Sequence, residues 1–484
     1  MELTSLAPQS LWQYFSQLNA IPRASKKEEK VIAFVEAFGR QLGLETTRDA
    51  VGNVCIKKPA TAGMEDRQTV ILQSHLDMVH QKNGDTVFDF DTQGIEMYVD
   101  GDWVRARGTT LGADNGIGVA TIMAILAATD IPHPALEAMF TIDEETGMTG
   151  AMQLDPGPYT GTILLNLDTE EEDEITIGCA GGLDTNTNGS YQQVPATAGG
   201  AAYDVTIKGL LGGHSGIDIN KGRANANKLM NRLLYNVRQS IDLQLASLDG
   251  GSLRNAIPRE SRATVVVPGA DKARFEAAVQ AFAAILKDEY KTVETGLTVA
   301  VTPAATPVSV MAPAYFDQLL RAIYAAPNGV FRMSPDMPGL VEASNNIAKV
   351  TVKDGQFITQ SLQRSNVDST KEDVALAVRS AFENMGCEVI QAGGYPGWKP
   401  NPDSPILKLM LSLYGDHFKH TPKVGAIHAG LECGILGSLL KGPDMISFGP
   451  TIRGAHSPNE CAQISSVERF YKFLLHILKE IPKR

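Results

Sequence analysis

Four short apolar runs, each leading into a side chain able to bind a metal ion, constrain this sequence more than any other feature. Residues 70–74 (VILQS) are followed at once by His75, Leu76 and Asp77, residues 139–142 (MFTI) lead into Asp143, Glu144 and Glu145, and residues 163–167 (ILLNL) lead into Asp168. Near the C-terminus, residues 445–448 (MISF) run through GPTIRGA to His456. Helical patterns lie between these runs, at 28–42, 116–128 and 465–479. Short continuous apolar runs alternating with helices predict strands buried in an α/β sheet. Ligands bind such sheets beyond the carboxyl ends of the strands, so the residues just past each run mark the expected site.

Between about Gly182 and Pro396 the pattern changes. Its first half reads strand 201–208, helix 223–239, strand 241–249, strand 262–267, helix 271–287, strand 297–302, the βαββαβ order of a ferredoxin-like unit. The second half reads helix 313–325, a hairpin of strands 339–352 and 356–364 turning at Asp354-Gly355, helix 370–385 and strand 387–392. A chain of 484 residues suits two or three domains. With metal-capable residues on both sides of the block, we expect an α/β domain of residues 1–181 and 397–484, interrupted by an inserted α+β domain, 182–396, made of two ferredoxin-like halves.

Charge removes some function classes. Lys and Arg total 43 against 55 Asp and Glu, a balance of −12 that opposes a phosphate backbone or an anionic membrane surface, so no nucleic acid partner is expected. The longest apolar stretch, near 117–128, is too short to span a bilayer, and the opening MELTSLAPQSLWQYF has no secretory pattern. Five cysteines without a CxxC pair fit reduced thiols, and the expected location is cytoplasmic. The acidic run at 170–174 (EEEDE) and the basic stretch at 221–232 read as solvated faces.

His75, Asp114, Glu145, Asp168 and His456 form a candidate metal set. Imidazoles mixed with carboxylates suit zinc, with manganese or cobalt able to substitute. Five donors exceed the need of one catalytic ion, but a bridging carboxylate would divide them around two ions about 3.5–4 Å apart. Asp114 is the natural bridge, because it sits in the glycine-rich TTLGADNGIG before a helix. Asp77 lies two residues past His75, on the same side of an extended segment, where it can accept the imidazole proton. Glu144 and Glu145 are adjacent and point differently, so one can bind metal while the other stays free to move a proton. Each piece alone has a plain reading as a chance HxD, a solvated acid pair or a shaping turn. Their common position at the ends of predicted strands favours a site.

HLD, GADN, DEE, NLD and AHSPNE, in that order, resemble the zinc metallopeptidase family that includes glutamate carboxypeptidase, aminoacylase, carnosinase and bacterial dipeptidases. The resemblance covers nearly the whole chain, and RARGTTLGADNGIG, IGCAGG, GGHSGIDINKGRANAN and HAGLECGIL are most similar to its bacterial aminoacyl-histidine dipeptidases. It implies a zinc-exopeptidase-like catalytic domain with a central mixed sheet, and an inserted lid. It further implies that His75, Asp168 and Asp114 hold one zinc, that Glu145, His456 and Asp114 hold a second, that Asp77 orients His75, and that Glu144 is the general base. In the lid, His214 of GGHSG matches a histidine that stabilises an oxyanion, Asn255 of SLRNAIP an asparagine at the substrate, and Arg364 of LQRSN an arginine that grips a C-terminal carboxylate.

The implied activity is hydrolysis of unblocked dipeptides, broadly and including aminoacyl-histidine. A deacylase of N-acyl amino acids is the alternative within the same chemistry. A non-catalytic peptide-binding protein is the alternative outside it, although such a protein has no need of an acid at Glu144. In many relatives the lid is one ferredoxin-like unit that pairs with a second subunit, which supplies the histidine in trans. Here the lid is about twice that size, so its second half would imitate the partner's lid and let His214 act within one chain, with a homodimer through the lid as the other arrangement. His428 and Glu432, four apart, are expected to share a helix face near the site.

Overall fold

Burial on both faces explains why the apolar runs form strands. Every residue of Val70–His75, Leu136–Thr141 and Ile163–Asn166 is buried, as a run without polar alternation requires. These strands pair in parallel, and Asp444–Ser447 joins alongside Ile163–Asn166, also parallel. The computed structural model describes residues 3–484. Its central sheet has eight strands, ordered Glu45–Arg48, Val54–Lys58, Leu136–Thr141, Val70–His75, Ile163–Asn166, Asp444–Ser447, Glu174–Cys179, Lys423–Ile427. The first two run antiparallel to their neighbours, so the sheet is mixed. The helix Ala113–Ala127 is buried along almost all its length. A four-stranded sheet of Met97–Asp100, Trp103–Ala106, Ile452–Arg453 and Cys461–Gln463 completes this unit, which comprises residues up to Gly178, Trp398–Ala426 and Leu431–Arg484.

The second unit, Cys179–Gly397 with Ile427–Gly430, is built on a nine-stranded antiparallel sheet. One end follows the order Thr298–Pro303, Ala201–Lys208, Ser261–Val267, Gln244–Gly250, and the other follows Val341–Lys353, Gln356–Ser365, Gly181–Ser190, Glu388–Tyr395. In chain order these are 4-1-3-2 and 2-3-1-4, the same ferredoxin-like order read in opposite directions. The two halves join where Leu248, Asp249 and Gly250 pair with Val352, Thr351 and Val350. The first strand of the second half, Gly181–Ser190, precedes the whole first half in sequence. Its sequence, GGLDTNTNGS, lacks the alternation that announces a strand; ladders to Gln356–Ser365 on one side and Glu388–Tyr395 on the other hold it extended. Apolar residues of both halves share one core, including Leu233, Phe275, Phe316, Ile347, Phe357 and Phe382.

The helix expected at 370–385 starts earlier, at Asp368, and the strand expected at 241–249 begins at Gln244. The acidic run is not a free solvated face. Arg453, Arg469 and Lys423 form ion pairs with Glu171, Glu172 and Glu174, and burial with Asp114 and Asp168 nearby pushes the Glu170 carboxyl up to about 8. No described helix is long and apolar enough to cross a membrane. The five cysteines are buried and form no disulfide.

Candidate metal centre

Strand ends and one helix start deliver the candidate donors to a single place in the first unit. His75 is the last residue of its strand, Glu144 and Glu145 follow the strand ending at Thr141, and Asp168 lies two residues past Asn166. Asp114 enters from the first turn of Ala113–Ala127. His456 sits in the turn between Ile452–Arg453 and Cys461–Gln463, with a left-handed φ of 63°.

Asp114 divides its two oxygens between the two imidazoles. Its Oδ1 lies 3.2 Å from His75 Nε2 and its Oδ2 lies 3.1 Å from His456 Nε2. Asp168 Oδ1 is 3.4 Å from His75 Nε2, and Glu145 Oε2 is 3.0 Å from His456 Nε2. All five expected donors therefore come together, in the two sets that share Asp114. Glu145 Oε1 is buried and has no hydrogen-bond partner.

Crowded acids set the electrostatics. Burial would lower the His75 imidazole, but Asp168, Asp114 and Asp77 hold it well above its ordinary value. Donating to the Asp114 and Glu145 carboxylates raises the His456 imidazole to about 11. Burial opposes ionisation of Asp114, yet His456 and His75 hold its carboxyl below the usual range. Burial, opposed by His75, leaves Asp168 raised to about 6. The site attracts positive charge strongly, and the donors, three carboxylates with two imidazoles and an orphaned oxygen, fit hard-to-borderline divalent cations.

Asp77 holds this cluster from behind. Its Oδ1 lies 3.2 Å from His75 Nδ1 and accepts the Glu144 N–H at 3.1 Å, while Oδ2 accepts from the Ser25 hydroxyl at 2.8 Å and the Glu145 N–H at 3.3 Å. Glu144 is half-buried near Asp168, Glu432 and Glu145, and desolvation with these charges raises its carboxyl well above the ordinary range against the pull of His75. An acid so placed favours holding a proton until a cation arrives nearby.

Three supporting groups surround the donors: Asn115 and Glu460, which close the GADN and AHSPNE motifs, and Arg23, which has no sequence signature. Asn115 donates through Nδ2 to Asp168 Oδ1 and, at 2.7 Å, to the Leu167 carbonyl. That amide has room because residue 118 is glycine: a Cβ there would stand 2.3 Å from Asn115 Oδ1 and 2.4 Å from Ser74 Oγ. Arg23, fully buried, donates to the carbonyls of Leu76, Asp77 and Gly112. Glu460 Oε2 accepts the N–H groups of Leu111 and Gly112, and Oε1 those of Ala113 and Asp114. The AHSPNE motif contained the last of these, but nothing in it showed that its acid serves backbone.

The expected lid residues come together in the second unit. Ser215 N–H donates to the Asn255 carbonyl at 2.7 Å, and His214 bridges Ala256 across the turn. Arg364 lies beside them, donating from Nε to Ser215 Oγ at 3.3 Å and from Nη1 to Tyr395 Oη at 3.2 Å. His214 Nδ1 accepts the N–H groups of Gly216 and Ile217, both at 3.1 Å, so the ring proton resides on Nε2. Burial and the Arg364 charge lower this imidazole to about 4, so it is neutral. Asn346, from the second half of the sheet, donates to the carbonyls of Arg254 and Ala256 on either side of Asn255.

The expected pairing of His428 with Glu432 on one helix face is incorrect. The helix begins at Glu432, so His428 precedes it and instead meets Ser344 Oγ at 2.7 Å within the second unit. Glu432 Oε2 accepts from Gln73 Nε2 and Thr141 Oγ1 near the cluster of candidate donors.

Comparison with known proteins gives concordant likenesses. Residues 205–294 match a peptidase dimerisation domain. The chain is 43% identical over 484 residues, the full length of both proteins, to the cytosol non-specific dipeptidase of Escherichia coli strain K12. It superposes on the crystal structure of aminoacylhistidine dipeptidase from Vibrio alginolyticus with a TM-score of 0.94 at 43% identity, covering 100% of this chain and 99% of that one. Aminopeptidase PepT from Bacillus cereus, 15% identical, shares the fold at a TM-score of 0.57, covering 98% of this chain and 99% of that one.

Proposed function

Because the chain belongs to the M20 family of metallopeptidases, we propose that it is a dipeptidase of broad specificity, hydrolysing unblocked dipeptides with aminoacyl-histidine among them. One observation carries the reading of the centre as a two-ion site: Asp114 turns one oxygen toward His75 and the other toward His456. In this reading His75, Asp168 and Asp114 hold one zinc, and Glu145, His456 and Asp114 hold the other, with manganese or cobalt able to substitute. When bound, the ions would supply Lewis-acid polarisation of the substrate carbonyl and lower the pKa of a water to about 7.

The chain's own residues do the rest. Asp77 fixes the His75 ring and, through the Glu144 N–H, the base beside it. Glu144 takes the proton from the attacking water and returns it to the leaving amine, so the C–N bond breaks as the amine gains its proton. His214 is assigned to the oxyanion, which its neutral Nε2–H can meet as a donor. Arg364 is assigned to the substrate carboxylate and Asn255 to the substrate backbone. A guanidinium suits a carboxylate because it offers two parallel bonds, and such a grip would favour substrates two residues long.

The interruption of a catalytic domain (1–181, 397–484) by a lid (182–396) belongs to the same proposal, supported by the separate nine-stranded sheet. So do a cytoplasmic location, supported by the name of the Escherichia coli relative, and self-association through the lid, supported by the match at 205–294. The doubled lid favours His214 acting within its own chain.

The test combines metal analysis with hydrolysis of free dipeptides, tripeptides and N-acylated amino acids. Free dipeptides should be cleaved best, and Glu144→Gln should lower kcat by about 10²–10⁴-fold, the usual worth of a general base. Full turnover by that variant, or preference for the blocked substrates, would overturn the proposal.

A further inference from the structure

Glu460 is 2% exposed, and its carboxylate spends all its hydrogen bonds on the loop that carries Asp114. Oε2 accepts from Leu111 N at 2.8 Å and Gly112 N at 2.9 Å, and Oε1 accepts from Ala113 N at 2.7 Å and Asp114 N at 3.2 Å. These are N–H groups at a helix start, which the helix itself cannot satisfy, and an anion there is further favoured by the helix dipole. Glu460 also lies four residues past His456 and directly before the strand Cys461–Gln463. That strand is anchored by pairing with Trp103–Ala106. On the loop's other side, Arg23 binds the Gly112 carbonyl at 2.5 Å and reaches the Leu76 and Asp77 carbonyls beside His75.

Residue 112 must be glycine for this clasp. Its φ is +69°, and a Cβ would stand 2.5 Å from Arg23 Nη2. The loop is thus held by an anion on its N–H side and a cation on its carbonyl side, with each holder tied to a segment bearing one of the histidines.

We propose that Glu460 is a positioning residue for the metal pair: its carboxylate fixes the Asp114 loop against the His456 segment, so that the shared carboxylate presents one oxygen to each ion. The inference rests on the two-ion reading of the centre. Glutamine at 460 would turn one oxygen into an NH2 group facing two N–H donors, which releases one side of the loop. Because Asp114 is shared, both ions lose affinity together. Groups that orient metal ligands from behind are typically worth 10–100-fold in affinity.

The test titrates the metal-free full chain with zinc against a competing chromophoric chelator, and follows the unfolding temperature of the metal-free form. Glu460→Gln and Glu460→Asp should each weaken both zinc equivalents, by 10–100-fold for the first. Aspartate keeps the charge but is one methylene short, so it carries the test if the glutamine variant does not fold. Asp102→Asn is the control, because it removes a carboxylate that accepts from Ser465 N and Oγ at another helix start. It should leave both affinities unchanged. Folded Glu460 variants with wild-type affinities, weakening of one equivalent alone, or equal weakening in Asp102→Asn would overturn the inference. A wild-type titration that saturates at one equivalent refutes the two-ion reading instead, and leaves the effect of Glu460 readable on that equivalent.

Discussion

Replacing Asp77 with asparagine removes an acceptor where four donors converge: the His75 ring, the Ser25 hydroxyl and the N–H groups of Glu144 and Glu145. The best orientation of the new amide keeps its oxygen on His75 and Glu144 N. Its NH2 then faces Ser25 Oγ, which can turn and accept, and Glu145 N–H, which cannot. One buried donor is left without a partner, at a cost of about 1–3 kcal/mol, and the bond to the imidazole loses its charge assistance, about 1 kcal/mol more. Together these come to about 3 kcal/mol, or about 100-fold at 1.4 kcal/mol per decade. The loss should appear in zinc affinity, measured by chelator competition, and kcat should fall as well even at saturating zinc, because Glu144 hangs from the same carboxylate. An Asp77→Asn protein that binds zinc within threefold of wild type would refute the reasoning.

Two further outcomes follow from buried charges. Burial pushes the Glu432 carboxyl up to about 8, so between about 4.5 and 8 the folded chain holds a proton that the unfolded chain releases, and stability falls as pH rises through that window. In the metal-free protein, Glu432→Gln should therefore gain unfolding temperature over wild type as pH goes from 5 to 8.5; a difference constant with pH would contradict this. Arg364→Lys keeps the charge but loses the fork, and should raise KM for free dipeptides about 10–100-fold while sparing C-terminally amidated ones; equal effects on both substrates would remove Arg364 from the carboxylate.

Three candidate donors, His75, Glu145 and Asp168, stand just past apolar runs that form doubly buried strands, whereas Asp114 stands in a glycine-rich turn before a helix. That pattern marked the place, but the choice of Glu145 over Glu144 as a donor came only with the resemblance. Arg23 and the role of Glu460 within AHSPNE were not legible, since both side chains serve backbone groups on segments distant in sequence and leave no periodicity. The strand Gly181–Ser190 was hidden for a related reason: two neighbours fix it, and its own residues do not. His428 was misplaced because spacing by four suggests a shared helix face only where a helix exists, and here it starts at Glu432. Glu170 looked like one of several surface acids, yet burial beside Asp114 and Asp168 pushes its carboxyl up to about 8.

The border between the two ferredoxin-like halves is only three residue pairs long, whereas the hairpin beside it has ten. The broad sheet is thus two halves joined by a short ladder over one shared core. His214 and Asn255 belong to the first half and Arg364 to the second, so the two proposed substrate contacts, to the oxyanion and to the carboxylate, come from opposite sides of that border. The Asn346 amide, bonded to the carbonyls flanking Asn255, is a tie from the second half to the first that the backbone ladder does not supply.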